Sequence, residues 1–101
     1  MAIAYITGTG TVTVGGEANG STSGFIGAGM RRIISVSVMA GAGSSTASVH
    51  DTGDGTGVGL VDTIVAATGS YVRADYGRTI MANGIRVVPA GTLTCVTVVY
   101  E

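Results

Sequence analysis

Residues 33–39 read IISVSVM, and this stretch decides the fold class that the sequence predicts. Apolar and small polar residues alternate along it, with Ile34, Val36 and Val38 in one phase and Ser35 and Ser37 in the other. A period of two is typical of a β-strand that buries one face against a core. Residues 92–99, TLTCVTVV, repeat the pattern, and there the shared phase comprises Thr94, Val96, Val98 and Tyr100.

Shorter strands are predicted between these two, and turn-forming residues separate them. Asn83-Gly84 predicts a type I′ hairpin, because both central positions of that turn need positive φ. No stretch has the i, i+3, i+4, i+7 apolar pattern of a helix. We therefore expect an all-β chain, a single antiparallel β-sandwich of jelly-roll type with about seven to nine short strands. The additional strands are TASVH (46–50), LVDTIVA (60–66), SYVRA (70–74), RTIM (78–81) and IRVVP (85–89), with further turns at DYG (75–77) and PAG (89–91).

The first thirty residues differ in composition from the rest. AIAYIT and TVTV are candidates for short strands, whereas residues 15–30, GGEANGSTSGFIGAGM, have the composition of a linker. We expect a glycine-rich N-terminal arm or loop over residues 1–30, anchored by Phe25 and Ile26, and the sandwich over residues 31–101. With 18 glycines, one Phe and no Trp in 101 residues, the core is small, which favours a homo-oligomer.

Charge and cysteine content exclude several classes of function. Five arginines, no lysine and six acids give a net charge of −1, so we expect no nucleic-acid or anionic-membrane partner. MAIAYITGTG lacks the features of a signal peptide, and no apolar run has the length of a membrane span. The single Cys95 cannot form an internal disulfide, and its apolar neighbours predict a small buried side chain. We expect no cofactor and no metal.

Residues 50–59, HDTGDGTGVG, contain the main candidate for chemistry. The triplet Asp51-Thr52-Gly53 is similar to the Asp-Thr-Gly triplet of retroviral-type aspartic proteases, all-β homodimers of about this length. His50 in place of an apolar residue, and the glycine-rich continuation after Gly53, depart from that family's pattern. A calcium loop is disfavoured because Gly53 and Gly55 occupy positions where oxygen ligands are needed. We interpret Asp51 and Asp54 as turn formers that bond local backbone, with Gly53, Gly55, Gly57 and Gly59 free to take positive φ.

Four arginines lie in or beside predicted strands: Arg31, Arg32, Arg73 and Arg86. Charge at such positions discourages uncontrolled edge pairing, and the planar guanidinium suits a carboxylate across a subunit boundary. Alternatively, these arginines lie on strand faces that are exposed to solvent and have no specific partner. The candidate carboxylates are Asp62, Asp75 and Glu101.

The segments RRIISVSVMAGAGSSTASVHDTGDGTG, GLVDTIVAATGSYV and IRVVPAGTLTCVTVVYE together resemble small β-sandwich virion proteins of tailed bacteriophages. The resemblance spans roughly residues 30–101 and rests on the pattern of strands and turns. It implies a non-enzymatic capsid decoration (cement) protein in the virion, commonly a trimer, that binds the major capsid protein or other virion subunits. The implied contact residues are Phe25, Ile26, Met30, Arg31 and Arg32.

Other functions stay open on the sequence alone. The resemblance also covers tail and fibre components, although so short a chain has little room for both a shaft and a receptor-binding tip. A receptor- or glycan-binding module would use Tyr71 and Tyr76, expected in loops, to stack on a sugar. A homodimeric aspartic protease would use Asp51.

Overall fold

A computed structural model describes residues 1–8, 10–14, 17–18, 24–53, 59–91 and 95–101. These residues form ten β-strands and no helix, nine of the strands having three or more residues. The strands are β1 (Ala2–Thr7), β2 (Val12–Val14), β3 (Glu17–Ala18), β4 (Phe25–Ala28), β5 (Arg31–Met39), β6 (Ser45–Asp51), β7 (Leu60–Ala66), β8 (Tyr71–Met81), β9 (Gly84–Gly91) and β10 (Cys95–Tyr100).

The strands form two antiparallel sheets packed face to face, so the predicted β-sandwich is confirmed. The larger sheet has six strands in the order β3-β2-β1-β10-β5-β8, and the smaller sheet has four in the order β4-β9-β6-β7. Two opposed sheets with alternating side chains enclose one apolar layer between them. Among the described residues, none belongs to a helix with the length and apolar character that a membrane span requires.

The core consists mostly of valine, isoleucine and alanine at alternate strand positions. Val36 and Val38 of β5 lie beside Val98 and Val96 of β10, and all four side chains are fully buried. The smaller sheet contributes a matching set that packs against them: Ile26, Ala47, Val49, Ile64, Ala66, Ile85 and Val87. Each fully buried valine or isoleucine contributes roughly 1.5–3 kcal/mol of hydrophobic free energy.

The first two strands belong to the sandwich, so no boundary at residue 30 separates an arm from it. β1 pairs with β10 along six residue pairs and with β2 on its other side. Ala4, Ile6 and Val12 are fully buried in the same core as Val96 and Val98. AIAYIT has the same two-residue alternation as the predicted strands, and burying Ala4 and Ile6 completes the apolar layer. Residues 15–16 and 19–23 lie outside the described residues.

The predicted turn at residues 75–77 is wrong, because SYVRA and RTIM form one eleven-residue strand, β8. The register passes from Ser35↔Asp75 to Ile33↔Thr79, so the sequence around Gly77 is a bulge within the β5–β8 pair. Gly77 and Arg78 have φ of 58° and 65°, the left-handed conformation that serves a bulge as well as a turn.

The phase predicted for the start of β5 is also wrong. Ile34 was expected beside Val36 and Val38, but Ile34 is half-buried and Ile33 takes the core position. The consecutive β10 residues Val99 and Tyr100 pair with Ser35 and Ile33, so β5 has one extra residue at this point. A bulge reverses which phase of a strand faces the core.

The predicted Asn83-Gly84 hairpin is also wrong, because β8 and β9 belong to different sheets. Among described residues other than glycine only Arg78 has positive φ, so Asn83 does not adopt the type I′ conformation. The Asn83 carbonyl accepts a hydrogen bond from the Gly29 amide at 2.9 Å. Gly84 is needed for close approach, since a Cβ there would lie 2.5 Å from the carbonyl oxygens of Gly27 and Thr52. These residues form a crossover between the sheets.

The turn predicted at residues 89–91 is likewise replaced by strand. β9 extends to Gly91 and pairs with β6 as far as Ser45. On its other side, β4 pairs with β9 only from Gly84 to Arg86, so the missing amide proton of Pro89 costs no bond to β4.

A hydrogen bond joins the two sheets at one side of the sandwich. The Tyr76 hydroxyl, on β8, donates to Asp62 Oδ2, on β7, at 2.8 Å. Burial raises the pKa of Tyr76 well above its ordinary value of 10, and the hydrogen bond and negative charge of Asp62 raise it further. The neutral phenol is therefore the form that links β7 to β8.

Replacing Tyr76 with Phe removes this link while keeping the ring. We expect the free energy of unfolding at neutral pH to fall by about 1 kcal/mol. The raised pKa means that the folded chain holds the phenolic proton more tightly than the unfolded chain. The stabilisation is therefore fully present below about pH 10 and is lost as the pH rises further.

Urea unfolding of the native chain and of Tyr76→Phe, from neutral to alkaline pH, measures both effects. The stability difference between them should shrink above about pH 10. Tyr5 is exposed, so Tyr5→Phe serves as the control. It should change neither the free energy of unfolding at neutral pH nor its dependence on alkaline pH. An equal stability of the native chain and Tyr76→Phe at neutral pH would contradict the role assigned to the link.

Candidate docking surface

The side of the larger sheet that faces away from the core is the broadest surface displayed by paired strands, and we call it the outer face. Its side chains alternate with core residues and form rows across neighbouring strands. Rows of this kind place residues that are distant in sequence side by side. The rows are Ile3, Val99, Ser35 and Asp75; Tyr5, Thr97, Ser37 and Arg73; Thr7, Cys95, Met39 and Tyr71; and, at one end, Arg32 and Ile80.

Large apolar side chains on the outer face are exposed. The exposed fractions are 43% for Ile3, 48% for Tyr5, 56% for Met39, 59% for Tyr71 and 56% for Ile80. Exposed apolar residues concentrated on one face, with polar groups between them, are a feature of protein-binding surfaces. Tyrosine and methionine are enriched at such surfaces because they combine large area with adaptable contacts.

Two serines in the middle of the outer face are covered by their neighbours. Ser35 and Ser37 are buried although they point away from the core. The Tyr71 hydroxyl donates to Ser37 Oγ at 3.0 Å, which holds the ring over the sheet. A tyrosine positioned in this way loses little conformational entropy when it contacts a partner.

Ion pairs lie along the β8 side of the outer face. Arg73 Nε is 3.0 Å from Asp75 Oδ1, and Glu101 Oε1 lies 3.4 Å from Arg78 Nε and 4.0 Å from Arg32 Nη1. Most of these side chains are largely exposed, so each pair contributes at most about 1 kcal/mol to stability. Asp75 and Glu101 thus pair with arginines inside the chain, whereas Asp62 accepts the hydrogen bond of Tyr76.

The five contact residues implied by the resemblance do not form one surface. Ile26 is buried in the core, and Phe25 is half-buried on β4 of the smaller sheet. Arg31 is half-buried with its guanidinium 5.7 Å from the centre of the Tyr100 ring. Its Nε has no hydrogen-bond partner among the described residues. Arg32 lies on the outer face, and Met30, which precedes β5, is exposed.

The signal for the outer face was present in the sequence at AIAYIT. Both phases of this strand are apolar, with Ala4 and Ile6 in one and Ile3 and Tyr5 in the other. A strand that is apolar on two faces in a two-layer sandwich leaves one apolar face outside. Met39, Tyr71 and Ile80 could be assigned to the same face only once the register across β5 and β8 was known.

Cys95 is exposed, so the predicted burial of this side chain is wrong. It precedes the buried Val96 and therefore points outward, between Thr7 and Met39. Within the described ranges, no group of three or more His, Cys, Asp or Glu side chains is arranged to hold a metal ion.

Asp51 stabilises the crossover between the sheets instead of a local turn, which corrects the interpretation of HDTGDGTGVG. Its Oδ1 accepts the Asn83 amide at 2.8 Å and its Oδ2 accepts the Ala82 amide at 3.1 Å. The Asp51 amide donates to the Gly59 carbonyl at 2.8 Å and closes the base of the loop. Gly59 has the expected positive φ, of 72°, while residues 54–58 lie outside the described residues.

His50 and Gly53, which flank Asp51 and Thr52, are also placed by the fold. His50 is buried at the end of β6, more completely than a strand-end position predicts. Gly53 is not among the glycines with positive φ, and a Cβ there would lie 3.0 Å from the Asn83 carbonyl oxygen. The aspartate-threonine-glycine triplet thus packs against the β8–β9 crossover.

No protein-family model, curated protein or solved structure matches this chain.

We expect Asp51→Ala to lower the free energy of unfolding by about 1–3 kcal/mol, because two backbone amides lose a charged acceptor. Asp51→Asn should lower the free energy of unfolding by less, since one side-chain oxygen remains to accept a hydrogen bond. Asp75→Ala, which removes only an exposed ion pair, is the matched control and should cost at most about 1 kcal/mol. Equal losses for Asp51→Ala and Asp75→Ala in urea unfolding would exclude the proposed role of Asp51.

Proposed function

We propose that this protein is a non-enzymatic structural component of a tailed-phage virion, a decoration protein that binds the head shell as a homo-oligomer. The observation that carries the proposal is the outer face, where five exposed apolar side chains lie on a six-stranded sheet. The strand and turn pattern of residues 30–101 also resembles that of small virion β-sandwiches. A broad, partly apolar sheet face fits a protein partner better than it fits a small molecule, which needs a concave site.

Docking through the outer face would combine moderate contacts in many copies. Tyr5 and Tyr71 supply aromatic area of the type that dominates binding free energy at protein interfaces. Arg32, Arg73 and Asp75 at the β8 side provide charged groups for the rim. Linking several copies into one oligomer makes each later contact intramolecular, so a modest contact per copy is sufficient for stable decoration.

The geometry around Asp51 supports a structural role for the triplet. Both carboxylate oxygens already accept backbone amides of the crossover. In an aspartic protease, two such carboxylates face each other and share a proton. The Asp51 carboxylate instead accepts backbone amides and stabilises the crossover. This structural role favours a non-enzymatic protein.

The two tyrosines considered for glycan stacking do not share a surface. Both lie on β8 instead of in loops. Tyr71 points to the outer face, where it bonds Ser37, whereas Tyr76 points inward to Asp62. A sugar could therefore not stack on the pair, and the proposal rests on protein partners.

Immunogold electron microscopy of native particles, purified from the cells that produce this chain, tests the location. We expect label at regular positions on the head shell. Label confined to the tail or fibres would overturn the decoration role, and absence of label from every particle would overturn the virion assignment.

Surface substitutions test the docking face. Tyr5→Asp combined with Met39→Asp should weaken binding to head particles stripped of this chain by about tenfold or more, because two large apolar contacts are lost. Val65→Asp changes an equally exposed position on the smaller sheet and should have no effect. Equal binding of the double variant and the native chain, with circular dichroism confirming that both are folded, would exclude the outer face.

A further inference from the structure

β8 is the last strand of the larger sheet and one of its sides is unpaired. It runs for eleven residues and pairs with β5, and within the described residues no strand pairs with its opposite side. The N–H and C=O groups along that side can bond another extended strand. Proteins usually protect such an edge with charges or bulges, and β8 has both.

The charges on this edge have an order that permits one specific pairing. Arg73 and Asp75 are two residues apart and lie on the same face of β8. In an antiparallel pair of two β8 strands with a two-fold axis at Ala74, Arg73 lies opposite Asp75 of the second copy, and Asp75 lies opposite Arg73. An axis at Arg73 or at Asp75 would instead place like charges opposite each other, which is destabilising.

The neighbouring positions agree with the same register. With the axis at Ala74, Tyr71 lies opposite Gly77 of the second copy. A Cβ built on Gly77 meets no atom within 4 Å, so no described residue obstructs the approach of a second strand at this glycine. Val72 lies opposite Tyr76 of the second copy, both on the inner side.

The bulge limits the length of this pairing. Gly77 and Arg78 have positive φ, so the backbone departs from a regular strand at the end of the 71–77 segment. Seven residues from each copy can therefore pair in one register, and the bulge opposes a shifted register that would extend beyond them. The β8 edge can therefore pair with a second strand in one register, whereas other registers are disfavoured.

We propose that two copies of this chain pair antiparallel through residues 71–77 of β8, with the two-fold axis at Ala74, to form one continuous twelve-stranded sheet. The exposed Leu60 and Val61 on β7 lie at the same side of the sandwich and would add apolar contact. This interface deepens the homo-oligomer part of the proposed function and rests on it. A three-fold assembly would need a different surface.

A charge exchange tests the pairing in solution, with no capsid present. Sedimentation equilibrium over a wide range of protein concentration should show a monomer–dimer equilibrium for the native chain. Arg73→Asp or Asp75→Arg alone should weaken dimerisation by about tenfold or more, because like charges then face each other. The double variant Arg73→Asp, Asp75→Arg should restore it. Arg32→Asp changes charge equally on the same sheet outside the paired segment and should have no effect.

Crosslinking provides a second test that does not depend on charge. With Cys95→Ser as background, Ala74→Cys places two thiols at the axis, and a short thiol-specific crosslinker should give covalent dimers. Thr97→Cys in the same background lies on the outer face, two strands away from β8, and should give few covalent dimers. A native chain that stays monomeric, a native trimer, or single charge variants that dimerise normally would each overturn the pairing.

The outcomes separate this inference from the capsid proposal. A chain that decorates heads but fails to dimerise would exclude the β8 interface and leave the decoration role intact. A chain that dimerises as predicted but binds no head particle would retain the interface and exclude the decoration role.

Discussion

The pairing of β10 with both β1 and β5 is the constraint on which the rest of the structure depends. β10 lies inside the larger sheet, with β1 on one side and β5 on the other. Its Val96 and Val98 complete the core, and its alternate residues join the rows of the outer face. Because β1 and β10 are far apart in sequence, the sheet forms only when long-range contacts form, which is a slow route of folding.

The sequence predicted the fold class well because alternation is a local property. IISVSVM and CVTVV alternate, the core phase of Val96, Val98 and Tyr100 is as predicted, and both segments are strands of one antiparallel sandwich. Turn residues were less informative. Gly77 and Asn83-Gly84 have the composition of turns, yet one lies in a bulge and the other in a crossover. Local composition shows that the chain deviates from a regular strand, and the tertiary contacts decide which deviation occurs.

The candidate docking surface was less predictable than the fold. Its composition depends on which strands are neighbours, and the order β1-β10-β5-β8 cannot be obtained from periodicity. Asp51 shows the same limit, because its partners at Ala82 and Asn83 are more than thirty residues away. Ile26 lies in the core, since an apolar residue in a glycine-rich segment fits a core as well as an interface.

The closed base of the β6–β7 connection has a consequence for engineering. Asp51 and Gly59 are joined by a backbone hydrogen bond, and the Asp51 side chain secures the same point to the crossover. A foreign peptide grafted between Gly53 and Gly59 would therefore be held near both ends by contacts that do not depend on its own sequence. In the homo-oligomer proposed above, each copy would display one such graft, for example an antigen or an enzyme tag.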